Sequence, residues 1–390
     1  METRVAYNYD DFDKTKIEGE NSGAGLFSPF TFICVTLFIS LYGLLSLYSA
    51  TFDLAVRNNL PHYYYLATQI QGALLGLVLG LLARLLPLKL IRRSYYFFVP
   101  LAIAVLVLML NPEFNKDGVL YIKGIRIIAG ANLAIFASII LVSGTNASIK
   151  KLDERHGIFY GIVIIFVAAL AYLTVRTSGL GYYFLLVLVV VSMLHASGAS
   201  RGYCLISFLF FFVTGIYILL CNSDILKSVI FSSLPVADPA MYDHQLFISQ
   251  MAIKDGSFWG IGLGHGLYKL GLLEGIESKY IFSSISEETG LIGVIVLFLL
   301  LFAFAVLGIR ASQRAEKKSS YAIAGASMGI GMFVFISAAM NALYASGIIP
   351  FSGIAFPFFS FGPGEEALFI FMSVVQYRFI RLMGRPNEKA

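Results

Sequence analysis

Uncharged apolar runs, each long enough to cross a bilayer, recur along almost the whole chain and leave little freedom in what it can fold into. A hydrocarbon core of about 30 Å takes roughly 20 apolar residues in helical form, because every backbone N–H and C=O inside it must bond within its own segment. Applied run by run, that criterion predicts spans near 27–50, 61–83, 94–112, 127–147, 157–175, 180–199, 203–221, 289–309, 321–345 and 366–383. The expected fold is an all-α membrane protein, a bundle of ten transmembrane helices. Only 13% of the residues are charged, which excludes an ordinary soluble domain, where charge makes up about a quarter.

Lysines and arginines fix which loops face the cytoplasm. With the N-terminus inside, 19 of the 28 basic residues fall on the cytoplasmic side, including Arg84, Lys89, Arg92, Arg93, Arg310, Arg314, Lys317, Lys318, Arg378 and Arg381. The net charge of +5 thus reports topology and gives no reason to expect a nucleic-acid partner. The resulting layout is a cytoplasmic tail at 1–26, seven spans over 27–221 and a large extracytoplasmic loop at 222–286. Three further spans over 287–383 follow, with a re-entrant-like loop at 346–366, and then a cytoplasmic tail at 384–390. Cys34, Cys204 and Cys221 all lie in apolar runs without the spacing of a disulfide framework or a zinc site. Residues 1–25 are polar and acid-rich, so no cleaved signal peptide is expected. The glycines of GALLGLVLG and IAGASMGIGM read as helix-packing faces, since no strand precedes them as a phosphate cradle would need.

Chemistry is concentrated between Tyr242 and Gly290, where Asp243, His244, Asp255, His265, Lys269, Glu274, Glu277, Lys279, Glu287 and Glu288 interrupt a glycine-punctuated sequence. Asp243 and Asp255 read as surface charges, His244 and His265 as solvated or capping histidines, and Trp259 as an interfacial anchor. Glu287 and Glu288 open the eighth span, where capping explains at least one of them. Glu365 and Glu366 have the same explanation at the start of the tenth.

Four stretches of these outer segments carry a resemblance. Gln245, Ser249, Ala252 and Ile253 followed by GIGLGHGLYK, the run YIFSSISEETG (280–290), the loop from Asn341 through GIIP, Gly353 and PFFSFG, and GLLSLYSAT near the first span are together similar to the SEDS family of RodA, FtsW and SpoVE. The resemblance implies a glycosyltransferase that polymerises lipid II on the outer face of the bacterial cytoplasmic membrane, partnered by a class B penicillin-binding protein. It also implies a carboxylate that activates the acceptor hydroxyl or helps to hold a divalent cation, magnesium or manganese, on the diphosphate.

Departures from the family pattern are informative. The family reads H-T-D before F-I-F, where this chain has Glu277-Ser278-Lys279 before Tyr280-Ile281-Phe282, so lysine stands at the presumed catalytic aspartate. The Q-P-S-E-x-x-K run is represented by AGANLAI, with Asn132 near the glutamate and Ile135 at the lysine, and Q-P-D-L-G by TSGLG at 177–181. Either Glu277 or Glu274 supplies the missing carboxylate, or the chemistry is gone and Lys279 binds phosphate in a homologue that organises a penicillin-binding protein. A lipid II transporter is the remaining alternative. On the enzyme reading, Glu277 and Glu274 are the catalytic candidates. Lys279, Lys269, Gln245, Glu287, Glu288, Ser360 and Gly362 are the substrate-binding ones.

Overall fold

The structure, a computed structural model, describes residues 28–149, 156–196, 201–221, 244–350 and 353–384, and these are mostly helical. In chain order the helices are α1 (Pro29–Arg57), α2 (Tyr64–Leu85), α3 (Leu88–Arg93), α4 (Tyr95–Leu108), α5 (Gly130–Ile149), α6 (His156–Ser178), α7 (Leu180–Ala196), α8 (Arg201–Cys221), α9 (His244–Gly256), α10 (Ile281–Lys317), α11 (Tyr321–Ala345) and α12 (Pro363–Met383). Among the described residues, six stretches are long and apolar enough to cross a membrane: α1, α2, α3 with α4 (Leu88–Leu108), Gly161–Ser178 of α6, α10 and α11. Shorter apolar segments, Gly130–Thr145, Leu180–Ala196 and Cys204–Leu220, lie in α5, α7 and α8. The chain is a multi-pass membrane protein.

Burial is reversed relative to a soluble bundle. On α2 the leucines Leu74, Leu77 and Leu81 are exposed, while Gly72, Gly76 and Gly80 form the buried stripe. A side-chain carbon at Gly72 would run into the backbone of Pro363, one at Gly76 into that of Ala367, and one at Gly80 into Val374. Glycine at every fourth position thus brings the α2 and α12 backbones into contact, as expected where close packing drives helix association. Gly76→Leu should therefore separate the two helices and destabilise the protein by about 3 kcal/mol, at the upper end of overpacking costs. Unfolding of the detergent-solubilised protein would measure it, and a variant as stable as the parent would contradict the contact.

Helix α11 is the most enclosed of the six long helices. Its GASMGIG run sets Gly329 against Ile139 of α5 and Met193 of α7, and Gly331 against Ala305 of α10.

Helices continue past the charges that end the apolar runs in the sequence. The first helix continues past Asp53 to Arg57, since a polar face at the membrane boundary does not stop helix propagation. The eighth span was expected to open at 289, whereas α10 begins at Ile281 and breaks at Gly290, whose φ of 65° and ψ of −169° are open essentially to glycine alone. Ile281–Thr289 is therefore a separate half-helix, and Glu287 and Glu288 lie on it instead of capping the span.

Residues 115–129, read as part loop and part span, form a three-stranded antiparallel meander: β1 (Asn115–Lys116), β2 (Val119–Ile122) and β3 (Ile125–Ala129). Asp117-Gly118 and Lys123-Gly124 make its two turns with φ of 53°, 79°, 51° and 79°, the left-handed pairs that suit tight hairpins. The segment 353–362 turns back into the protein, burying Phe356, Phe358 and Phe359, and Asn341 Nδ2 donates to the Ile354 carbonyl at 2.6 Å.

Candidate functional site

Two polar clusters sit at the ends of these helices. The first is built on the break at Gly290. A break in a helix frees backbone groups on both sides, and here the loop after α9 takes them up. Ile261 N and Gly262 N donate to the carbonyls of Glu287 and Glu288, both at 3.0 Å, while Leu291 N and Ile292 N donate to Ser257 and Phe258 at 3.0 and 3.3 Å. The fit needs glycine on both partners, because a side chain at Gly256 would strike the Ser286 carbonyl and one at Gly260 the Glu288 carbonyl. Helix α9 is held alongside by Ser249, bonded to Ser283 Oγ at 2.6 Å and donating to the Ala345 carbonyl at 2.8 Å.

That arrangement carries Lys269 onto Glu288. Their charged groups lie 2.7 Å apart with both side chains 3% exposed. Ser49 of α1 completes the group: its hydroxyl donates to Glu288 at 2.6 Å and accepts from Lys269 Nζ and from Gly264 N, both at 3.1 Å. Glu287, fully buried, accepts from the backbone N–H groups of Leu267 and Tyr268 through Oε1. The sequence-based candidates Lys269, Glu287 and Glu288 are thus brought together, with their charges directed at one another and at the loop backbone. Ser49 was present in the GLLSLYSAT run without being singled out.

The second cluster joins the meander, the N-terminal end of α2, the segment 274–280 and the start of α12. Arg126 of β3 donates to Glu365 Oε1 at 3.0 Å, and the same oxygen accepts from Ala129 N at 3.1 Å. Burial works against the Arg126 charge, but the Glu365 carboxylate outweighs it and raises the guanidinium above its ordinary value. Its plane lies over the Phe361 ring, 5.5 Å from the centroid, and Phe361 in turn meets Tyr65 at 4.8 Å. Gln69 of α2 donates to Glu366 Oε2 at 3.1 Å and accepts from Gly362 N at 3.0 Å. Glu365 and Glu366 therefore fasten β3 and α2 to α12, beyond any capping of the helix they open.

The segment 274–280 is pinned to this cluster by its backbone. Phe361 N donates to the Glu277 carbonyl at 2.6 Å, Ser360 Oγ to that of Ser278 at 2.9 Å, and Asn341 Nδ2 to that of Lys279 at 3.2 Å. Glu277 is half-buried and close enough to raise the pKa of Arg126. Glu274 is exposed, and its backbone N–H donates to Gln245 Oε1 at 2.7 Å. Lys279 Nζ lies 3.3 Å from Asp117 Oδ1 on the β1–β2 turn. Ser360, Gly362 and Gln245, candidates for substrate contact, thus spend these polar groups on internal bonds. His244 and His265 are exposed, Asp255 accepts from the Tyr268 hydroxyl, and Asp243 lies outside the described residues. That bond, with a smaller effect of burial, pushes the Tyr268 phenol up to about 12.

Beneath the second cluster an apolar cavity of about 480 Å³ opens between α2, α4, α5, α11 and α12. Ile128 and Gly364 line it next to Arg126 and Glu365, and Lys89 and Ser94 lie at the α2–α4 connection. The arrangement can accommodate a molecule with an apolar chain and an anionic head. Among the described residues no three His, Cys, Asp or Glu side chains converge as a metal cage.

Arg126, Asp117 and Gln69 escaped the sequence reading. An arginine in an apolar strand just before a span, and an Asp-Gly pair between short alternating runs, were the available signals.

The family model for cell cycle proteins of the FtsW, RodA and SpoVE type matches residues 30–376. The chain is 28% identical over 336 residues to a probable peptidoglycan glycosyltransferase FtsW of Trichlorobacter lovleyi, covering 85% of this chain and 87% of the relative. It is 28% identical over 347 residues to the protein of that description in Marinobacter nauticus, covering 87% and 86%. In fold it is similar to a chain from a peptidoglycan synthase complex studied for its coordination of polymerization and crosslinking (TM-score 0.67, 17% identity, 90% and 97% covered). It is likewise similar to the rod shape determining protein RodA of Thermus thermophilus (TM-score 0.60, 16% identity, 90% and 96% covered).

Proposed function

Because this chain belongs to the SEDS family of FtsW, RodA and SpoVE, matched from residue 30 to 376, we propose that it is a peptidoglycan glycosyltransferase of the bacterial cytoplasmic membrane that joins lipid II units into glycan strands. The observation that carries this reading is the second cluster, in which Arg126 and Glu365 lie beside Ile128 and Gly364 in the lining of an apolar cavity of about 480 Å³ and Lys279 belongs to the segment bonded to that cluster. Lipid II has the matching form, a diphosphate between a sugar head and a long prenyl tail. The guanidinium and ammonium meet the diphosphate, and the cavity takes the first part of the tail. A carboxylate in the cleft takes the proton of the acceptor hydroxyl. In the segment itself the candidates are Glu277, half-buried, and Glu274, exposed. A magnesium or manganese ion on the diphosphate would draw its ligands mainly from substrate and water.

In this proposal the lysine and arginine distribution places ten spans with both termini in the cytoplasm and the cleft outside. Lys269, Glu287 and Glu288 act indirectly by holding the loop 257–280 on α1 and α10. A class B penicillin-binding protein is the proposed partner, supported by the fold shared with a chain of a peptidoglycan synthase complex.

Purified full-length protein in lipid vesicles, given lipid II and its cognate class B penicillin-binding protein, should form glycan ladders. Ala326→Phe, which fills part of the cavity, should raise KM about tenfold or more with kcat little changed, as expected for loss of ground-state binding. No product under any metal condition would leave the reading of a non-catalytic organiser, which lysine at the family's aspartate position favours. Lipid II crossing the vesicle without polymerising would mark a transporter.

A further inference from the structure

We propose that Asp117, at the tip of the β1–β2 turn, is the carboxylate that takes the acceptor proton, delivered to Lys279 from outside the segment that would ordinarily supply it. The assignment rests on the transfer reading above.

The pair spans two elements far apart in sequence, with Lys279 Nζ 3.3 Å from Asp117 Oδ1. It has little to do with holding the fold, because the Asp117 side chain is 78% exposed and the Lys279 side chain 35% exposed, and exposed ion pairs add little to stability. Yet both ends are held in place. Asn341 bonds the Lys279 carbonyl, and on the other side Asn115 Nδ2 donates to the Thr177 carbonyl at 2.9 Å while its Oδ1 accepts from Gly118 N at 3.0 Å. Ser178 Oγ donates to the Gly118 carbonyl at 3.4 Å, so the turn is tied to the end of α6. Asp117 has a φ of 53°, a left-handed conformation that aspartate tolerates better than most side chains. A carboxylate that is exposed and also fixed suits a substrate-facing group better than a structural one.

The adjacent charges fit that role. Lys116, the cation next to Asp117 on β1, sits over the Tyr121 ring at 5.7 Å, and Lys279 from the segment 274–280 is the ion-pair partner. Glu277 is near enough to Arg126 to favour its charge, and Arg126 gives one N–H group to Glu365. A lysine on one carboxylate oxygen leaves the other for a hydroxyl. In the step, the acceptor oxygen bonds to the donor's anomeric carbon as the bond from that carbon to the diphosphate oxygen breaks. The diphosphate leaves with the electron pair, and the hydroxyl proton passes to Asp117.

The test is the vesicle polymerisation assay, run across pH with Asp117→Asn, Glu277→Gln and Glu113→Gln, the last an exposed control. Asp117→Asn should lose about 100-fold or more in turnover, on the scale of a general base, with an unchanged melting temperature and without the acidic limb of the pH profile. Glu277→Gln should keep that limb, and Glu113→Gln should match the parent. Turnover that survives Asp117→Asn, or an acidic limb removed by Glu277→Gln and kept by Asp117→Asn, overturns this assignment while leaving the transferase reading intact. Absence of product from the parent protein overturns both.

Discussion

Lys269→Met should destabilise the protein by about 3–5 kcal/mol, the range for stripping one partner from a buried ion pair. Methionine keeps much of the stem's packing, so the loss isolates the charge. Glu288 would remain 3% exposed with a single side-chain donor, the Ser49 hydroxyl, against a carboxylate that now has two. The pair itself adds little net stability, since desolvating two charges cancels most of their attraction. Lys269→Met/Glu288→Gln should therefore recover most of the loss, because the neutral amide can still accept from Ser49. Reversible denaturant unfolding of the purified protein would show both effects, and a single variant as stable as the parent would mean that the pair is solvated.

Gly290→Ala should be comparably severe, by a different route. At φ 65° and ψ −169° an alanine carries about 3 kcal/mol of backbone strain. Its methyl group would also press on Gly260 N and Trp259. Restoring a continuous helix would relieve the strain but displace the loop amides of Ile261 and Gly262 from the Glu287 and Glu288 carbonyls. Each lost bond costs about 1 kcal/mol. Hydrogen exchange at Ile261, Gly262, Leu291 and Ile292 reads this directly. Protection equal to that of the parent would show that the splice at Gly290 is dispensable.

Much of the scaffold was legible from apolar run length alone, since a bilayer imposes one solution on such runs. The family was legible too, from glycines and polar residues whose spacing has a geometric cause: Gly260 and Gly290 are required by backbone contact. The bonds made by the charges are not legible there. Sequence does not show that Gly290 divides α10 and sets Glu287 and Glu288 on a half-helix, and the distance of Lys269 from Glu288 is a tertiary fact. The meander at 115–129 was hidden by its apolar strands, which run straight into α5 and imitate the start of a span. Asp117 reaches Lys279 across 162 positions of chain, a pairing that no local pattern announces.

The glycine stripe on α2 has a consequence for traffic into the cavity. Backbones in direct contact at Gly72 and Gly76 have no side chains between them that could swing aside, so parting α2 from α12 would cost both their packing. Widening must then come from the opposite jamb, where Leu88–Leu108 is the least enclosed of the long apolar stretches and Pro100 weakens α4. On the proposed function, a lipid substrate would slip in sideways past that helix, directly from the surrounding leaflet, with no need to pass through water.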